Sequence, residues 1–172
     1  PAAAAPERGQ TVIFAAVDGR FAGTLVLADT LRPAAAAAVA GIRRLGIVPM
    51  LLTGDHAEAA ASVAGAVGID TVRGELLPDE KLAAVRYDAA DPTAPKIAMV
   101  GDGVNDAPAL AAAYAGVAMG GIGSDIAVES ADAVLVADDI ARLPYLFALC
   151  RRCLTRIKVN IVVSMLINFT AI

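Results

Sequence analysis

The sequence predicts an α/β protein: a parallel sheet with helices on both faces, preceded by a β-hairpin and followed by a helix that enters a membrane. Three observations predict it. Short apolar β-rich runs alternate with helix-forming runs between Ile47 and Val136, the order that builds a parallel sheet covered on both sides. Two of those runs end in polar clusters, Thr53-Gly54-Asp55 and Gly101-Asp102-Gly103, and open parallel sheets place their ligands at such strand ends. Residues 159–172 carry no charge and follow a basic cluster of Arg151, Arg152, Arg156 and Lys158.

The elements follow in order. Residues 11–28 contain two β-rich runs around Asp18-Gly19, a strong signal for a two-residue hairpin turn. The run Asp29-Thr30-Leu31-Arg32-Pro33 interrupts them, and Pro33 suits the first turn of a helix reaching about Leu45. A buried strand is expected over 47–52, a helix over 55–67, and a helix opened by Pro78 that runs to about Tyr87. An apolar strand over 96–100, a helix over 105–114, a strand over 116–119, a helix over 124–131 and a strand over 133–136 complete the alternation. From Ile140 to the end the chain reads as one helical connection interrupted at Pro144. As a helix, residues 159–172 rise about 21 Å against a bilayer core of about 30 Å, so the membrane helix is expected to be truncated.

Composition narrows the function classes. A chain of 172 residues suffices for one domain with its own core. The net charge of −4 argues against nucleic acid as a partner. Apolar residues reach 58%, and alanine runs such as residues 34–38 account for much of the excess. The core is therefore expected to be aliphatic. Cys150 and Cys153 make no disulfide framework and fit a reducing compartment. Residues 1–10 lack a signal-peptide pattern and an initiating methionine, as in a fragment of a longer chain.

The chemistry concentrates in Gly101-Asp102-Gly103-Val104-Asn105-Asp106-Ala107-Pro108-Ala109-Leu110. Asp102 and Asp106 stand four residues apart at a strand end, and hard oxygen ligands of this kind suit Mg²⁺, which takes one or two carboxylates and keeps several waters. Gly101 and Gly103 permit close backbone approach to a ligand. In the second cluster, the Thr53 hydroxyl beside a helix N-terminus can bind a phosphoryl oxygen; the plainer alternative is that Thr53 or Asp55 caps the helix. Lys81 sits near the start of a helix, the wrong end for a cation. Either it neutralises phosphate charge or it is simply solvated.

Thr53, Lys81, Asp102 and Asp106 resemble, in order and spacing, the later motifs of the haloacid-dehalogenase-like phosphotransferases. Within that superfamily the details resemble P-type ATPases. Thr53-Gly54-Asp55 looks like their second motif, Asp106-Ala107-Pro108-Ala109-Leu110 like the continuation of their fourth, and Asp29-Thr30-Leu31-Arg32 like their hinge. The resemblance runs from about Thr11 to Asn168. It implies a Rossmann-like haloacid-dehalogenase fold in three parts. Residues 1–28 would end a nucleotide-binding domain, 29–140 would form the phosphorylation domain, and 141–172 would be a linker helix leading into the membrane. It also implies ATP and Mg²⁺ as cofactors. Asp102 and Asp106 would hold the metal. Thr53, Gly54, Asp55, Lys81, Asn105 and Asp106 would form the catalytic set. Asp29, Arg32, Thr53, Lys81 and Asn105 would face the nucleotide or its phosphate. The family's nucleophilic string Asp-Lys-Thr-Gly-Thr does not occur here, so the fragment alone is expected to be inactive. A soluble phosphatase of the same superfamily and a non-catalytic fragment stay open as alternatives.

The run of residues 116–132, GVAMGGIGSDIAVESAD, resembles the heavy-metal subgroup, with a spacing closer to the zinc/cadmium/cobalt branch than to the copper branch. Tyr114 departs from the aspartate common there, and Ile167-Asn168 matches neither branch. The implied partners are a transition-metal cation, a lipid bilayer and the rest of the same polypeptide. The implied location is the cell membrane, with this domain cytoplasmic because basic residues precede the apolar run. Asn160, Ser164 and Asn168 recur at steps of four and share a helix face; they line an ion path or bond to neighbouring helices. Cys150 and Cys153 also share a face, for packing or for a metal. His56 suits helix capping.

Overall fold

The computed structural model describes residues 10–28, 30–101, 104–120, 129–137 and 139–170. Asp29, Asp102, Gly103 and most of the helix expected over 124–131 lie outside the described residues.

Strands β1 (Gln10–Val17) and β2 (Arg20–Ala28) form the antiparallel hairpin. Its two turn residues both have positive φ, 51° at Asp18 and 73° at Gly19. Aspartate tolerates that region and glycine enters it freely, which is why the pair makes this turn. The register slips once, with Ala15 opposite Gly23 and Ala16 opposite Phe21, so Ala22 is an extra residue that bends the ribbon.

Helix α1 (Ala35–Arg44) starts two residues after Pro33, where the Ala35 N–H bonds the Arg32 carbonyl at 2.9 Å. Its end consumes residues expected to be strand. Ile47 donates back to Ile42 and Pro49 has no N–H to donate, so β3 shrinks to Met50–Leu52. Helix α2 (Ala57–Val67) stops at Gly68, whose φ of 79° closes the last turn. Strand β4 (Thr71–Arg73) then pairs parallel with β3. Its three residues, two of them exposed, are too few to show a period in sequence.

Helix α3 (Pro78–Val85) leads to β5 (Ala98–Gly101). A 3₁₀ turn, Val104–Asp106, precedes helix α4 (Ala107–Ala112). Strands β6 (Ala115–Met119) and β7 (Ala133–Leu135) run parallel to β5 in the order β5-β6-β7. The parallel α/β arrangement is the one expected, but its hydrogen bonds fall into two sheets, β3-β4 and β5-β6-β7. One core joins them: Val85, Met99, Ala109, Leu110 and Ala118 are buried together, and Leu52 of β3 packs against them. The core is aliphatic, with Leu110 and Val85 its largest fully buried side chains. A smaller cluster of Ala35, Val39 and Val67 fastens α1 to α2.

Helix α5 (Leu143–Thr170) is continuous. Pro144 does not interrupt it as expected. It lies in the first turn, where a missing N–H costs nothing. Leu143 is buried, and a Cβ on Gly41 would stand 2.7 Å from Pro144 Cγ, so only glycine lets α1 and α5 touch there. The Arg151 guanidinium donates to the Leu45 carbonyl at the end of α1. Residues 149–170 are all exposed. Together with the 3₁₀ turn before it, α5 is long and apolar enough to cross a membrane.

Two glycine substitutions test this packing. A Cβ on Gly116 would lie 2.6 Å from the Leu110 carbonyl oxygen, backbone that cannot swing away. Gly116→Ala should therefore destabilise the fold by about 1–3 kcal/mol, read from the urea midpoint. Gly65, inside α2, has nothing within 4 Å of a built Cβ. Gly65→Ala should stabilise by about 0.5–1 kcal/mol.

Candidate active site

The turn after β3 is stitched to the segment after β4 by backbone bonds. Thr53 N–H donates to Arg73 O at 3.0 Å, Leu76 N–H to Thr53 O at 3.0 Å, and Glu75 N–H to Asp55 O at 2.8 Å. A Cβ on Gly54 would approach Leu76 O to 3.3 Å, so the two segments nearly touch. Within the turn, the Thr53 hydroxyl donates to Asp55 Oδ2 at 2.7 Å and accepts the Asp55 N–H at 3.1 Å. Neither Thr53 nor Asp55 caps α2. The residue at the cap is His56, which makes no side-chain cap bond and instead places Nδ1 3.4 Å from Glu75 Oε1. The cap expected of His56 is therefore absent. Thr53 is half-buried, while Gly54 and Asp55 are exposed.

The second half of the site depends on α3. The Glu80 carboxylate accepts the Leu77 N–H at 2.8 Å and so closes the helix start. With Asp79 it also offsets a cation in the first turn. Lys81, one turn in, donates from Nζ to Asp106 Oδ1 at 3.1 Å. Both side chains are largely withdrawn from water, 19% and 16% exposed. Gly101 makes room for this pair. A Cβ there would stand 2.9 Å from Asp106 Oδ2, so what approaches this glycine is the Asp106 carboxylate. The sequence reading had a ligand in that place and had no partner for Lys81.

The short segment 76–81 links the two halves. Leu76 N–H hydrogen-bonds Thr53 O, Leu77 stands at the N-cap of α3, and Lys81 N–H hydrogen-bonds Leu77 O at 3.0 Å. The strand end of β3 and the strand end of β5 are thus bridged by residues 76–81. Asn105 sits exposed on the 3₁₀ turn beside Asp106. Arg32 is exposed just before α1. Asp29 and Asp102 lie outside the described residues. Asp106 Oδ2 is a hard donor of the type Mg²⁺ takes. Among the described residues, no three His, Cys, Asp or Glu side chains converge.

Two features escaped the sequence reading. Tyr114 packs edge-on against Tyr87, with ring centroids 4.9 Å apart, and Lys96 Nζ lies 5.2 Å from its ring centre. Asp132 accepts the Gly116 N–H at 2.8 Å and so fastens the start of β7 to β6. On α5, Asn160, Ser164 and Asn168 are exposed, and so are Cys150 and Cys153.

A family model described as haloacid dehalogenase-like hydrolase matches residues 2–113. The probable cation-transporting P-type ATPase J of Mycobacterium tuberculosis is 45% identical over 157 residues, 91% of this chain and 24% of that protein. The human copper-transporting ATPase 2 is 41% identical over 165 residues, 96% of this chain and 11% of that protein. A solved zinc-transporting PIB-type ATPase in the E2.Pi state superposes with a TM-score of 0.73 at 41% identity, covering 89% of this chain and 24% of that one. The chain therefore spans a quarter or less of each of these three relatives.

The Lys81–Asp106 pair sets a measurable coupling. Removing one partner leaves the other charge mostly out of water. Asp106→Ala should lower stability by about 1–3 kcal/mol, whereas Asp55→Ala, at an exposed site, should cost less. In a double-mutant cycle of Lys81→Met with Asp106→Asn, denaturation should give a coupling of about 0.5–3 kcal/mol.

Proposed function

The chain belongs to the haloacid dehalogenase-like hydrolase family, and from that membership we propose that it is the phosphorylation-domain segment of an ATP-driven heavy-metal P-type ATPase. The observation that carries the reading is the Lys81–Asp106 pair tied through residues 76–81 to the Thr53 turn. It provides a cation, a carboxylate and a hydroxyl at two neighbouring strand ends. P-type ATPase relatives that match over nine-tenths of the chain support it.

In this reading residues 1–28 end a nucleotide-binding domain, 29–140 form the phosphorylation domain, and 141–172 lead into the membrane. Asp106, with Asp102, holds Mg²⁺, which when bound neutralises phosphate charge. Thr53 and Asn105 hydrogen-bond the phosphoryl oxygens. For Thr53 that requires its proton to turn from Asp55 to the ligand. Lys81 balances the remaining charge, already oriented by Asp106, so little rearrangement accompanies phosphoryl transfer. Arg32, with Asp29, stands at the hinge before α1. The nucleophilic aspartate comes from a segment outside these residues. Among the described residues, β3 pairs only with β4 and β5 only with β6, so each keeps an open edge where such a strand can add. Helix α5 enters the bilayer from the cytoplasmic side, with Arg151, Arg152, Arg156 and Lys158 outside it. The cargo is a transition-metal cation, and the spacing of residues 116–132 favours the zinc/cadmium/cobalt group.

In the full-length parent protein, Asp102→Ala should abolish Mg²⁺-dependent phosphorylation from ATP; wild-type phosphoenzyme would overturn the assignment. Lys81→Met should lower phosphoenzyme formation by about 100-fold or more. An ATPase assay across zinc, cadmium, cobalt, copper and manganese should show stimulation by one subset, with zinc, cadmium or cobalt ahead of copper.

A further inference from the structure

The proposed function leaves Cys150 and Cys153 without a role. The continuity of α5 changes how the two thiols read. With no break at Pro144, every residue of the helix keeps one angular register of about 100° per residue. On that register Cys150, Cys153, Asn160, Ser164 and Asn168 all fall within an arc of about 80°. Arg151, which holds the helix to the end of α1, points about 100° away from Cys150 and about 160° away from Cys153. Buried Leu143 lies within about 20° of Cys150 on this register, so the exposure of the thiols follows from their place farther along the helix, where residues 149–170 are all exposed. Packing, the plainer explanation for them, finds no support within the described residues.

Residues three apart on a helix have Cβ atoms about 5–6 Å from each other. Two sulfurs so placed can both reach one metal ion at about 2.3 Å. Thiolates select thiophilic ions such as Zn²⁺, Cd²⁺ or Cu⁺. Binding of a divalent ion releases the two thiol protons to solvent and forms two metal–sulfur bonds, with no change of oxidation state. No third His, Cys, Asp or Glu joins the pair among the described residues, so the ion keeps open coordination positions and can be passed on. We propose that Cys150 and Cys153 form a two-thiolate capture site for the transition-metal cargo, placed at the cytoplasmic end of the polar stripe of α5. The site stands about two helical turns before Asn160 on the same face. This role as a cargo site rests on the pump reading above, while the binding of a thiophilic ion does not.

The test uses the full-length parent and Cd²⁺ alone as the probe. Cys150→Ser/Cys153→Ser should lose one bound Cd²⁺ equivalent, together with its share of the thiolate-to-cadmium charge-transfer absorbance. Its metal KM in the ATPase assay should rise at least about tenfold, since losing a ligand costs no less than losing a ligand's support. Phosphorylation by inorganic phosphate should be unchanged, which shows the variant is folded. A second variant, Cys153→Ser/Thr155→Cys, keeps two thiols but places the second about 140° around the helix from Cys150, out of reach of a shared ion, and it should lose the same equivalent. If both variants bind Cd²⁺ with wild-type stoichiometry and KM, the capture site is refuted and the pump reading stands. If the wild type shows no metal-stimulated ATPase but retains the cysteine-dependent equivalent, the pump reading falls and the metal site remains.

Discussion

A lysine in the first turn of α3 faces the positive end of the helix dipole, and everything around it compensates for that placement. Asp79 and Glu80 stand beside it in sequence, and Asp106 reaches it from the turn after β5. With both side chains mostly shielded from water, neither charge is stable alone. The pair therefore holds α3 against the start of α4 as much as it arranges a site. Gly101 is part of the same constraint, because any side chain there would collide with the carboxylate.

The rest of the fold converges on that pair. Val85 at the end of α3, Met99 of β5 and Leu110 of α4 are buried together, and Leu52 at the end of β3 packs on them. One aliphatic core therefore sets the spacing between the strand ends that carry Thr53 and Asp106. The core does this although β3-β4 and β5-β6-β7 share no ladder. On the other side, α1 begins just after Arg32 and ends against α5, through Gly41 with Pro144 and through Leu45 with Arg151. It is the element that connects the hinge-like segment to the apolar helix.

Much of this was legible in sequence, and where it was, the cause is local. Asp18-Gly19 forms its turn because those two residues tolerate positive φ. Gly68 ends α2 and Pro78 begins α3 for equally local reasons of backbone geometry. The strings around Thr53 and Asp106 carried enough chemistry to single out two strand ends, and the structure puts the Thr53 turn and the Lys81–Asp106 pair there. The misreadings have local causes too. Ile47 was taken into the end of α1, and Pro144 falls in a first turn rather than a helix interior.

By itself, the amino-acid order determined the alternation of elements, the hairpin turn, the polar strings and the charge-free end of the chain. Each of these depends on residues a few positions apart. Tertiary structure alone decided that Lys81 belongs to Asp106, that Gly101 makes room for a carboxylate, that Leu52 joins the core of the other sheet, and that β4 exists at all. Apart from Gly101, which lies five residues from Asp106, those depend on groups far apart in sequence: 21 residues for Met50 and Thr71, 25 for Lys81 and Asp106. Only packing, which minimises exposed apolar surface and unpaired buried charge together, brings such groups into contact.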